Sequence, residues 1–117
     1  TLAVADSMNF RVQVLAADGS PIAAFGGKGD AAGKFALPRD IASDSAGNLY
    51  VLDNQFENVQ VFNSSGQLLM AFGGEGRGAG QFNLPSGITI DERDRIWIAD
   101  TYNRRVQVFQ CVPEGDQ

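Results

Sequence analysis

Asp6, Asp53 and Asp100 recur at an interval of 47 residues, and carboxylates in a fixed register are the first candidates for acid–base chemistry or metal binding. Their recurrence argues against a shared site. Equivalent residues of successive repeats are spread along an array, and each Asp has a nearer use, as acceptor for the backbone of a turn and partner for a following Arg. The chain has no histidine and one cysteine, Cys111. A Ser-His-Asp arrangement therefore lacks its base, a four-ligand zinc site cannot be assembled, and no internal disulfide is possible. No acidic run has the loop spacing of an EF-hand. Two glycine-rich stretches, Gly26 to Lys34 and Gly73 to Gln81, invite comparison with phosphate-cradling loops. They run into Phe-x-Leu-Pro rather than into a helix whose N-terminus could hold phosphate, and they read as crossover turns. No catalytic, cofactor-binding or metal-binding residues are assigned, and no enzyme activity is expected of this segment.

The elements that position these residues follow from the same interval. Val12, Val59 and Val106, and Gln13, Gln60 and Gln107, keep the 47-residue spacing, as do Phe25 and Phe72, and Leu37-Pro38 and Leu84-Pro85. A period of this size signals a repeat architecture. The unit from Leu37 to Asn83 holds four strand-length segments: Asp40 to Ser43, Leu49 to Leu52, Val59 to Phe62 and Leu68 to Phe72. Turn residues separate them at 44–48 and 63–66. The second segment is apolar throughout, as suits a strand covered on both faces. Helical spacing is absent. The expectation is an all-β propeller of four-stranded antiparallel blades, about 2.5 of them and ten strands in all. Residues 1–36 would supply strands two to four of a blade, 37–83 a complete blade, 84–110 strands one to three of another, and 111–117 a tail. The N-terminus lacks the basic start of a signal peptide, and no apolar run approaches the roughly 18 residues of a membrane span.

The run Leu84-Pro85-Ser86-Gly87-Ile88-Thr89-Ile90-Asp91, followed by Ile96-Trp97-Ile98-Ala99-Asp100-Thr101-Tyr102-Asn103-Arg104-Arg105-Val106, closely resembles the NHL repeat. Phe72-Gly73-Gly74 and Gly80-Gln81-Phe82 complete the pattern, and the likeness covers the chain up to Phe109. The resemblance implies a six-bladed propeller in an intact protein. It also implies Asp-x-x-Asn-x-Arg turns, matched at Asp6, Asn9 and Arg11 and at Asp100, Asn103 and Arg105, so that Asp6–Arg11 and Asp100–Arg105 become structural pairs. The middle repeat departs, with Phe56 and Asn58 in the last two places. Family members include RNA-binding proteins, ubiquitin ligases, extracellular sensor domains of bacterial kinases and relatives of a peptidyl-amidating lyase, so the fold alone selects no function. Analogy with these favours a periplasmic or extracellular bacterial location.

Strand direction alternates within a blade, so the loops joining strands two to three and four to one share one face. That face receives seven of the nine basic residues, matched by seven carboxylates, whereas the opposite face and tail carry the whole net charge of −5. The first face also displays Met8, Phe10, Phe56 and Tyr102. Aromatic side chains with Arg dominate binding hot spots, although Phe10 and Phe56 could equally fold back over a blade edge. Arg39, whose repeat counterpart is Ser86, is a blade-specific choice. The candidate partner-binding face is Met8, Phe10, Arg39, Phe56, Tyr102 and Arg104, for a protein or peptide partner. An RNA-binding face is the alternative, with a channel-centred metal enzyme relying on residues elsewhere third, and self-assembly through open blade edges fourth. No cofactor is expected. Ring closure would require self-association or further blades of the same parent chain.

Overall fold

The computed structural model describes residues 2–29 and 31–110; Cys111 and the expected 111–117 tail lie outside the described residues. Ten strands follow in order: β1 Leu2–Asp6, β2 Arg11–Leu15, β3 Pro21–Gly26, β4 Pro38–Ser43, β5 Leu49–Asp53, β6 Asn58–Phe62, β7 Leu68–Gly73, β8 Gly87–Ile90, β9 Arg95–Asp100 and β10 Arg105–Gln110. They form three antiparallel sheets, β1-β2-β3, β4-β5-β6-β7 and β8-β9-β10, which is the all-β partial propeller expected. One helical turn, a 3₁₀ segment at Ser7–Asn9, escaped the sequence reading because three residues carry no periodicity. Among the described residues no helix is long and apolar enough to cross a membrane.

Each hairpin has a local cause. Asp44 Oδ1 accepts the N–H groups of Ala46 and Asn48 between β4 and β5, and Asn63 Oδ1 accepts those of Ser65 and Gln67 between β6 and β7, so both turns are closed by their own side chains. Pairing then places Leu49 opposite Phe62 and Asp53 opposite Asn58.

The middle sheet is covered on both faces, and every residue of β5 is buried. Val12, Phe35, Val51 and Phe62 pack between it and the first sheet. Tyr50, Leu52, Val59, Val61, Phe82, Ile88, Ile96 and Ile98 pack between it and the last. The fully enclosed rings of Phe35 and Phe82 each contribute about 2 kcal/mol of apolar burial. Both arrive from the crossover between sheets and press against a glycine at the end of the previous blade. A Cβ on Gly73 would stand 2.5 Å from the Phe82 ring, and one on Gly26 2.6 Å from the Phe35 ring. With φ at +95° and +114°, only glycine meets both demands.

Candidate functional site

The face to be considered is made by three turns, Ser7 to Phe10, Asn54 to Glu57 and Thr101 to Arg104, and by the crossovers 27–37 and 74–84. Each turn ends in a residue held in the left-handed conformation: Phe10 at φ 57°, Glu57 at 59° and Arg104 at 57°. A non-glycine residue resists this conformation by roughly 1–2 kcal/mol, so closure of the turn must supply the difference. The Asp at the end of each second strand supplies much of it.

Asp6 Oδ2 accepts Asn9 Nδ2 at 3.0 Å, Arg11 Nε at 3.0 Å and Gln13 Nε2 at 3.2 Å. The Asn9 amide and the Arg11 guanidinium hold its carboxyl below the usual carboxylate range. Asp100 repeats the pattern with Asn103 at 3.0 Å and Arg105 at 2.8 Å. Burial alone would raise the Asp100 carboxyl, but the Asn83 N–H, Asn103, Arg105 and Gln107 outweigh it and hold the group low. Asp53 has no Arg, since Asn58 is too short. It takes backbone instead: the N–H groups of Ala36, Leu37, Gln55 and Phe56 all donate to it at 2.8–3.2 Å. One aspartate thereby fastens its own turn to the crossover arriving from the previous sheet.

The periodic glutamines Gln60 and Gln107 have a task that their spacing does not state. Gln60 Oε1 accepts the Gly33 N–H at 2.8 Å while its Nε2 donates to the Lys34 carbonyl at 2.8 Å. Gln107 brackets Gly80 and Gln81 in the same way. The crossovers are thus held at fixed points, and side chains between those points are free to differ. The spacing alone could have marked both glutamines as structural.

The structure divides the candidate residues between two clefts. Phe10 and Phe56 line one, of about 410 Å³, together with Lys28, Gly29, Phe35, Ala36 and Gln55. Both Phe rings are half-buried, and the Lys28 ammonium lies 5.4 Å from the Phe10 ring centroid, a cation–π distance. Tyr102 and Arg104 line the other, of about 610 Å³, with Arg77, Thr101 and Asn103. Tyr102 is 64% exposed and Met8 87%. Met8 and Arg39 are exposed and line neither cleft. Glu57, at the end of the middle turn, is buried, with its Oε2 lacking any hydrogen-bond partner. Burial, and then the neighbouring Glu75 carboxylate, push its carboxyl up. Lys28 and Arg77 were not singled out from sequence, because only the crossover geometry brings them beside the turns, and Glu57 was not, because its burial against the crossover is a tertiary feature. Among the described residues no three His, Cys, Asp or Glu side chains are grouped so as to hold a metal ion.

Residues 82–109 match the model of the NHL repeat. Solved structures with the same fold include a virginiamycin B lyase from Staphylococcus aureus, 21% identical over 93% of this chain and 37% of that one, with a TM-score of 0.57. A catalytically inactive variant of that lyase with quinupristin is 12% identical over 97% of this chain and 38% of the other, at 0.61. An auxiliary nutrient binding protein from Bacteroides thetaiotaomicron is 20% identical over 86% of this chain and 32% of the other, at 0.57. The chain spans about a third of the length of these proteins, 32% to 38%, and at such identities the likeness is one of fold.

Proposed function

On a partial β-propeller that carries an NHL repeat, we propose that the face bearing the two-to-three turns and the four-to-one crossovers is a non-catalytic platform for a protein or peptide partner. The observation behind this reading is a contrast within the repeat. Positions that close the fold are shared, as with Asp6, Asp53 and Asp100, while the side chains at the turn positions that follow differ from one repeat to the next. Met8, Gln55 and Tyr102 are equivalent, as are Phe10, Glu57 and Arg104. Nothing in the fold demands an exposed Tyr or a half-exposed Phe there, and large amphipathic side chains in clefts are what binding surfaces use. The propeller fold is consistent with a binding scaffold, and a nutrient binding protein is among its structural neighbours; a lyase is another, so the absence of an activity is itself part of the proposal.

The units taken to make up the platform are residues 1–36, 37–83 and 84–110. The outward faces of the first and last sheets are open, and further blades or a second copy would cover them. The test is retention of a random peptide library on the immobilised chain. Phe56→Ala and Tyr102→Ala should each cut retention at least several-fold with the melting temperature unchanged. A matching loss of thermal stability would instead assign these rings to the core, and retention of RNA in place of peptides would favour a nucleic-acid face.

A further inference from the structure

The cleft of about 610 Å³ on the last sheet brings together two arginines with no role in the fold. Arg77 sits in the crossover and Arg104 at the left-handed end of the turn, both exposed. Among the described residues neither guanidinium has an ion pair or a hydrogen bond, whereas Arg11, Arg95 and Arg105 each hold an aspartate. Tyr102 stands between them in the chain and lines the same cleft.

The repeat provides an internal control. Arg77 is equivalent to Asp30, Tyr102 to Gln55 and Met8, and Arg104 to Glu57 and Phe10. Thr101 and Asn103, which line the same cleft, are tied down: the Thr101 hydroxyl meets that of Ser86 at 2.5 Å, and Asn103 Nδ2 donates to the Gly76 carbonyl and to Asp100. The cleft therefore has a structural frame of polar residues and three variable side chains that the frame does not use. Two exposed guanidiniums in one cleft, neither of them paired with a carboxylate, leave their planar donor pairs open to an anionic partner.

Building on the platform reading, we propose that Arg77, Tyr102 and Arg104 form a carboxylate-binding subsite, which takes an Asp or Glu side chain from an extended acidic segment of a protein partner while Tyr102 covers the neighbouring residue. Each guanidinium can present a planar pair of donors to a carboxylate, and the ring supplies apolar area at little entropic cost. The surroundings favour a peptide over a polyanion. Glu57 and Glu75 lie together on the adjoining part of the face, and the Glu57 carboxyl responds to both Glu75 and Asp100. A nucleic acid carries charge at every residue and would meet these carboxylates. A peptide can place one carboxylate between the arginines and neutral residues elsewhere.

The test is selection of a random 12-residue displayed-peptide library on the 117-residue chain, on Arg77→Ala and on Arg104→Ala. The enriched peptides should carry Asp or Glu beside an apolar or aromatic residue. Replacing that acid by its amide should weaken binding roughly tenfold or more, as should either Arg→Ala change, with melting temperatures unaltered and affinity falling as salt rises. Peptides without acidic enrichment, bound equally by the wild type and both variants, would overturn the subsite and leave the platform standing. Failure to enrich any peptide would overturn the platform and the subsite with it. Displacement of bound peptide by single-stranded RNA at equal or lower concentration, lost in the Arg variants, would overturn the peptide assignment in favour of nucleic acid.

Discussion

Glu57 shows how one side chain can carry a cost that the rest of the repeat avoids. Its equivalents are Phe10, which lies beneath Lys28, and the exposed Arg104. Glu57 is buried beside Glu75 with Oε2 unpartnered, and its carboxyl titrates above the ordinary value of 4.5. A carboxyl raised on folding is penalised only when ionised. The penalty is absent below the unfolded value, grows as pH rises through the folded one, and is complete above it. Glu57→Gln should accordingly stabilise the chain at pH 7 by on the order of 1 kcal/mol. Thermal melts would show a gain of roughly 4 °C at neutral pH that vanishes below about pH 4. A gain of equal size at both pH values would show that shape rather than charge is responsible. Asp6 and Asp100 respond in the opposite sense, since their carboxyls are held low: their contribution is present above the unfolded value and fades as pH falls through the folded one.

Where one sheet hands over to the next, the controlling contact is a ring against a backbone. Phe82 presses on Gly73 and Phe35 on Gly26, and Phe62 and Phe109 complete the aromatic clusters, with Phe35–Phe62 and Phe82–Phe109 centroids both 5.8 Å apart. Gly73→Ala must both strain φ and displace a fully buried ring, and should cost roughly 3 kcal/mol in chemical denaturation. Gly47→Ala is the comparison. Its φ of +85° is as unfavourable to alanine, but a Cβ there meets open space, so about 1 kcal/mol is expected. Equal losses would remove the ring contact as the reason for glycine at the crossover. The opposite face has its own repeated device: Tyr50 Oη donates to Asp44 at 3.1 Å and Trp97 Nε1 to Asp91 at 2.9 Å, so the hairpin aspartate holds the aromatic ring of the following strand.

For the whole molecule, neighbours decide what the repeat buries. Val12, Val59 and Val106 are equivalent in sequence, yet the first two are fully buried and Val106 is 60% exposed. Val61 is 2% exposed and its equivalent Val108 46%. On the first sheet Leu2 and Ile22 are more than half exposed. Open apolar sheet faces of this kind favour association. Light scattering over a range of concentrations should show a mass that rises above that of one chain. A monomer at every concentration would mean that these faces are tolerated in water and that copies of the chain do not close a ring together.

The 47-residue interval was enough to give the fold class, the number of strands and the turns between them, because alternating burial and turn chemistry are local and each repeat restates them. It also pointed to the aspartates as turn residues. What it could not give was which crossover residue stands beside which turn. Lys28 over Phe10, Glu75 beside Glu57 and Arg77 in the cleft of Tyr102 are pairs separated by 18 to 25 residues, joined only when the crossover comes against the turn of the blade it leaves or the blade it enters. Asn58 in place of Arg already marked Asp53 as the aspartate without an arginine, but not the four backbone N–H groups that satisfy it instead. Periodicity determined the frame, since the frame is the same at every repeat. Tertiary packing decided the candidate site, since that site is made where the repeats differ and where one blade meets the next.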